Sequence, residues 1–141
     1  MEKSDPIEEA LRYVDNARRV LSESGQLNVE TGRYEDNKYV KAAGHYLWHS
    51  SLIVLDAVFR VKTKSRPHPD VKDYLNAIGN RDRKLLECVV DGYQIMHITM
   101  GYDGNRIKRV CEEGFRLANA IIDRCALMLP KARLTVIKCR V

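Results

Sequence analysis

DNKYVKAAGHYLWHSSLIVLDAVF, residues 36–59, is the stretch on which the fold turns. At about 100° per residue, Val40, Ala43, Gly44, Leu47, Ser51, Val54, Leu55 and Val58 gather on one broad face, and Lys38, His45, His49, Asp56 and Arg60 form a narrow polar stripe opposite. That pattern predicts a helix with one buried face, running from about Asp36 to Val61. Such a helix is on the order of 39 Å long, the longest element in the chain. Pro67 and Pro69 in KTKSRPHPD end it, because proline lacks a backbone donor and pushes the residue before it out of helical geometry.

Upstream, Ser4 or Asp5 caps a first helix, with Pro6 at its first position and Glu8 placed to close a capping box. Its apolar stripe is Ile7, Leu11, Val14, Ala17 and Leu21. Gly25 is expected to stop it by entering the left-handed conformation. QLNVETGRYED is polar, contains Gly32, and reads as a connecting loop.

Downstream, a third segment begins near Pro69 or Asp70 and breaks at IGNRD, where Gly79 and Asn80 suit the end of one short helix and the cap of the next. Its continuation, Arg81 to Met100, is expected to bury Leu86, Val89, Val90, Tyr93, Met96 and Met100. After the turn GYDGN, a last helix from Asn105 to Leu129 is expected to bury Ile107, Val110, Cys111, Gly114, Ala118, Ile121, Ile122 and Cys125, until Pro130 stops it. The tail, residues 132–141, alternates like a strand but has no strand in the chain to pair with, and is expected to be extended, either packed against the bundle or pairing across a dimer. The sum is one all-α domain over residues 1–141, an up-down-up-down four-helix bundle with a broken third segment.

The chain has 141 residues, of which 45% are hydrophobic and 30% charged, enough for a core without staples. MEKSDPIEEALRY has no apolar signal region, and no apolar run approaches the roughly 18 residues that span a bilayer. No membrane association is expected, and a cytoplasmic location is. Cys88, Cys111, Cys125 and Cys139 stand far apart without a C-x-x-C pair, which removes zinc knuckles and redox motifs and leaves free thiols.

The candidate chemistry is sparse. His45 and His49, at i and i+4, can share a metal ion, but no glutamate follows His45 as in H-E-x-x-H, and a third ligand would have to come from Asp91 or His97. No metal or cofactor is therefore expected, and the stripe reads as a solvated face with an Asp56–Arg60 pair. His97, on the apolar face beside Val90 and Tyr93, reads as a hydrogen-bonded core residue with a pKa lowered by burial. Arg60, Lys62, Lys64 and Arg66 form a basic cluster within a net charge of +5 and could bind nucleotide, RNA or another anionic ligand. Small residues such as Gly44 permit close approach of another helix, and Trp48, Leu52 and Phe59 widen the apolar band of the long helix beyond one core face, which predicts a homodimer, or a protein partner, through that helix. The motifs of covalent and nucleotide enzymes, G-x-S-x-G, the Walker loop and the Rossmann glycines, are absent. The chain reads as a non-catalytic binding or interaction module.

The first helix IEEALRYVDNARRVL, the small-residue-rich second helix, the broken third segment and the final helix RIKRVCEEGFRLANAII together resemble the HEPN superfamily of helical bundles, and within it an uncharacterised bacterial family of single-domain proteins. The resemblance implies a dimer-prone bundle, in some members a partner of a nucleotidyltransferase in a toxin–antitoxin system, and in active members a ribonuclease with an R-x(4 to 6)-H motif. This chain departs from that motif. Val90, Asp91 and Gly92 stand where an arginine would precede His97, and His45, His49 and His68 lack one at the required spacing. No catalytic residue carries over, since the mechanism needs a cation on the phosphate beside a histidine that moves a proton.

Overall fold

The long helix forms much as its sequence pattern predicts. In the computed structural model, which describes residues 5–61 and 69–129, Asp36 accepts a side-chain hydrogen bond from the Lys38 amide at 2.9 Å and starts α2, Asn37–Phe59. Arg60 ends it in the left-handed conformation, φ 50°, its amide closing on the Asp56 carbonyl. Val40, Ala43, Gly44, Leu47, Ser51, Val54 and Leu55 are all buried, joined by Trp48 and Ser50. All five stripe residues are exposed. The two buried serines are satisfied locally, each donating to the Leu47 carbonyl, at 2.6 Å from Ser50 and 3.1 Å from Ser51.

Helix α1, Pro6–Ser24, is capped by Asp5 and packs Ile7, Ala10, Val14, Ala17 and Leu21 against α2. Gly25 follows it in right-handed geometry, φ −69°, and the left-handed residue is Gln26, φ 52°. The glycine is required for space instead: a Cβ there would lie 2.6 Å from the Leu21 carbonyl oxygen and 2.9 Å from Tyr34 Cδ1. The polar connection is not wholly a loop. It pairs β1, Leu27–Asn28, with β2, Arg33–Tyr34, as a small antiparallel hairpin. Asn28 builds its turn, Oδ1 accepting from the Glu30 and Thr31 amides, and Gly32 closes it at φ 70°.

Asp70 and Asp73 form a reciprocal capping box for α3, Val71–Ile78. Helix α4, Arg83–Gly92, is capped by Asp82, two residues beyond the expected cap Asn80. The Asp82 carboxylate accepts from the Leu85 amide and receives Arg124 Nε on both oxygens, at 3.1 and 2.9 Å, so one side chain caps α4 and ties it to α5, Lys108–Met128.

Helix α4 passes without a break into a ten-residue π-helix, Tyr93–Tyr102. Its i→i+5 bonding widens the turn, and Gly101 joins its neighbour Met100 on the buried side. Across α4 and the π-helix the buried residues are Leu85, Val89, Gly92, Met96, Met100 and Gly101; Leu86 is only half-buried and Val90 is exposed. Leu85, Val89, Gly92, Met96 and Met100 recur at intervals of four, three, four and four residues, the spacing of one α-helical wheel at about 100° per residue, and Val90 falls outside their arc.

Helix α5 begins at Lys108 rather than Asn105 and leaves Ile107 at the surface, bridged to Arg33 of the hairpin. Cys111, Gly114, Ala118, Ile121, Ile122 and Cys125 are buried as expected. The result is an all-α bundle in which α2 touches α1, α3, the π-helix and α5. Cys88, Cys111 and Cys125 are free thiols. Lys62, Lys64, Arg66, His68, Cys139 and the tail lie outside the described residues.

Candidate functional site

The π-helix brings His97 beside α2. Close approach is possible because Gly44 carries no side chain: a Cβ there would stand 2.6 Å from the Gly101 amide nitrogen and 2.6 Å from the Met96 carbonyl oxygen. Gly44, expected at an interface, thus serves the packing of the chain against itself. The His45 ring lies over Gly101, its Cε1 3.4 Å from the position of a Cβ at that glycine.

Around His97 stand four rings, with centroids at 5.2 Å for Tyr93, 5.9 Å for Trp48, 5.9 Å for Tyr102 and 6.4 Å for His45. His97 Nδ1 is buried without a hydrogen-bond partner among the described residues. The expected hydrogen-bonded core histidine is therefore a half-buried one held by aromatic packing. Burial, and then the neighbouring His45, lower its pKa, so the neutral ring is favoured.

Beside this group, the ring of His49 packs on Tyr13 of α1 at 4.6 Å between centroids, and Tyr13 packs in turn on Tyr46 at 6.1 Å. Tyr13, His45, Tyr46, Trp48, His49, Leu52 and His97 line one shallow cleft of about 410 Å³. None of the seven is a Lys, Arg, Asp or Glu. A second cleft of about 410 Å³ adjoins it through Trp48, Leu52 and His97 and runs to Asp70, Lys72 and Tyr74 at the start of α3. Another cleft, about 680 Å³ along α4 and the turn before it, includes Arg83, Glu87 and Asp91 and no histidine.

The other expected site residues are dispersed. Asp56 does not pair with Arg60; it accepts the Tyr74 hydroxyl at 2.8 Å, which reaches across from α3. Desolvation raises the Asp56 pKa, against the lowering pull of that hydrogen bond and of His49. Arg60 is exposed at the end of α2, and Phe59 is half-buried against the core. Trp48 is 8% exposed, and Leu52 is half-buried at the junction of the two clefts. Asp91 does not line either histidine cleft. No group of three His, Cys, Asp or Glu among the described residues is placed to hold a metal ion. Burial pushes the thiols of Cys111 and Cys125 up to about 12, which keeps both protonated and unreactive.

Periodicity located the exposed histidines, but not Tyr13 and Tyr46, which join them only by the packing of α1 on α2. The surplus of rings on both helices was the available signal.

No helix among the described residues is long and apolar enough to cross a membrane. No curated protein matches the chain. A solved structure of a protein of unknown function from Dyadobacter fermentans is similar to it, at 35% sequence identity and a TM-score of 0.75, covering 85% of this chain and 92% of that one. Residues 5–126, which include all of α1 to α4, the π-helix and both histidine clefts, match the model of a family described as a domain of unknown function, and the chain belongs to that family, DUF5618.

Proposed function

We propose that this chain is a non-catalytic, HEPN-type binding module that works as a homodimer, two copies meeting through the exposed edge of α2 and the neighbouring part of α1. The observation that carries this reading is the charge-free aromatic cleft around Trp48 and Leu52. On a chain of net charge +5, two copies repel wherever basic surfaces meet, and an uncharged aromatic face is where they can approach without that penalty. Interface cores are likewise enriched in aromatic residues and poor in charge. Cysteine chemistry is disfavoured by the protonated state of Cys111 and Cys125.

Light scattering on the purified protein at micromolar concentration is expected to give twice the chain mass of 16.2 kDa. Leu52→Glu, at a half-buried position, is expected to give the single-chain mass with an unchanged circular dichroism spectrum. A wild-type monomer at that concentration refutes the reading.

Nucleotide or RNA is the competing partner. It draws on exposed Arg60 and on Lys62, Lys64 and Arg66, which lie outside the described residues. Its signature is affinity that falls steeply between 50 and 200 mM salt, as counterions are released from phosphate. Tight, salt-dependent RNA binding by a monomer would replace the dimer reading with this one.

A further inference from the structure

Three of the four histidines of the chain line one cleft, and they differ in what they offer. His97 turns Nδ1 into the interior. His45 and His49 are exposed, one helical turn apart on the same stripe, and neither imidazole ring forms a hydrogen bond among the described residues. The rings are nevertheless held: His45 rests on Gly101, and His49 is packed against Tyr13 at 4.6 Å. Each ring is thus restrained while its exposed edge faces solvent, so less side-chain freedom is lost if it binds a ligand.

We infer that His45 and His49 are half of a divalent transition-metal site, of the zinc class, completed by the same two residues of a second copy. The inference rests on the dimer reading above. Two histidines at i and i+4 reach one ion from a single helix, and four imidazoles related by a two-fold axis make a tetrahedral nitrogen set. Within one chain the site is incomplete, in keeping with the absence of any three-ligand group among the described residues. Neutral imidazole nitrogens suit zinc, nickel and copper rather than magnesium or calcium, whose oxygen ligands this cleft does not supply as carboxylates.

The test titrates Zn2+ into metal-free protein and reads mass by light scattering, dimer dissociation constant by dilution, and bound zinc by elemental analysis. The expected result is one Zn2+ per two chains, with the dimer tightened at least tenfold and the effect reversed by EDTA. His45→Ala and His49→Ala, at exposed positions, are each expected to abolish that tightening with an unchanged circular dichroism spectrum. His97→Gln is expected to retain it, which separates the pair on α2 from a His45–His97 site.

A dimer that forms equally with Zn2+ and with EDTA overturns the metal inference and leaves the dimer standing. A chain that is monomeric under both conditions overturns both. Zinc bound one per chain, or tightening that survives either alanine variant, overturns the bridging site.

Discussion

Replacing Gly44 with alanine tests the contact that sets the candidate site. A methyl group at this position would lie 2.6 Å from both the Gly101 nitrogen and the Met96 oxygen and 2.7 Å from Met100 Cβ. Met96 and Gly101 stand five residues apart, the hydrogen-bonding interval of the π-helix, so the methyl would intrude where backbone is bonded to backbone. Neither can swing aside as a side-chain tip could. Overpacking of a core costs about 1–3 kcal/mol, and weakening one backbone hydrogen bond adds about 1 kcal/mol. Against this, alanine is a better helix former than glycine by about 1 kcal/mol. The net is a destabilisation of about 1–3 kcal/mol. For a 141-residue chain, the unfolding entropy is about 0.3 kcal/mol/K, which converts the loss to a Tm lowered by roughly 3–10 °C. Urea and thermal unfolding followed by circular dichroism measure both quantities. Gly114→Ala is the comparison, since its methyl would meet Met100 Sδ at 2.6 Å, within a flexible side chain, and Leu47 Cδ1 at 3.4 Å. It should cost clearly less. If Gly44→Ala is as stable as the wild type, or more stable, the close approach of α2 to the π-helix is refuted.

Further expectations follow from the polar groups. Asp82→Asn weakens the bond to Arg124 and the cap of α4, and should cost about 2 kcal/mol in urea unfolding at pH 7. Arg124 holds the Asp82 carboxyl below its usual range, so its contribution is complete above the unfolded value near 4 and is lost as pH falls through the lower folded value; the variant should lose less stability than the wild type on acidification. The reverse class of group gives a second acid-sensitive step: the folded His97 pKa lies below its unfolded value, so stability falls as pH drops below about 6.5, and His97→Gln should flatten unfolding free energies measured between pH 8 and 5. Finally, Cys111 and Cys125 should resist alkylation in the folded protein and react on denaturation, while half-buried Cys88 reacts sooner, as peptide mass mapping would show. Equal labelling of all three in the folded protein would contradict their burial.

The parts of this fold that local chemistry controls were legible in the sequence. Asp5 and Asp36 cap where an acidic residue precedes a periodic run, and Lys38, His45, His49 and Asp56 are exposed on α2 where a wheel puts them. Tertiary contact decided the rest. Gly25 looks like a left-handed stop, yet it is there to admit Tyr34, a partner brought by the hairpin. Strands of two residues carry no alternation to read, so β1 and β2 are defined by the Asn28 turn and by pairing alone. The π-helix has no propensity signature of its own, and its position depends on the match between Gly44 and Gly101. For the candidate site, the exposure of His45 and His49 was readable along one helix, whereas the rings surrounding them arrive from α1 and the π-helix.

The wide turn after α4 also bears on how the chain tolerates changes in its length. A π-helix holds more residues than an α-helix covering the same number of turns, so Tyr93–Tyr102 stores surplus chain in an otherwise regular helix. Deleting one residue from α5 would rotate everything beyond it by about 100° and pull Ile121 and Cys125 off the core. Deleting Ile98 instead lets the widened turn tighten toward α-helical geometry while Met96 and Met100 keep near their places. The bundle is expected to tolerate the loss of a residue there and keep its fold, and the arrangement given up would be the ring of aromatic side chains around His97.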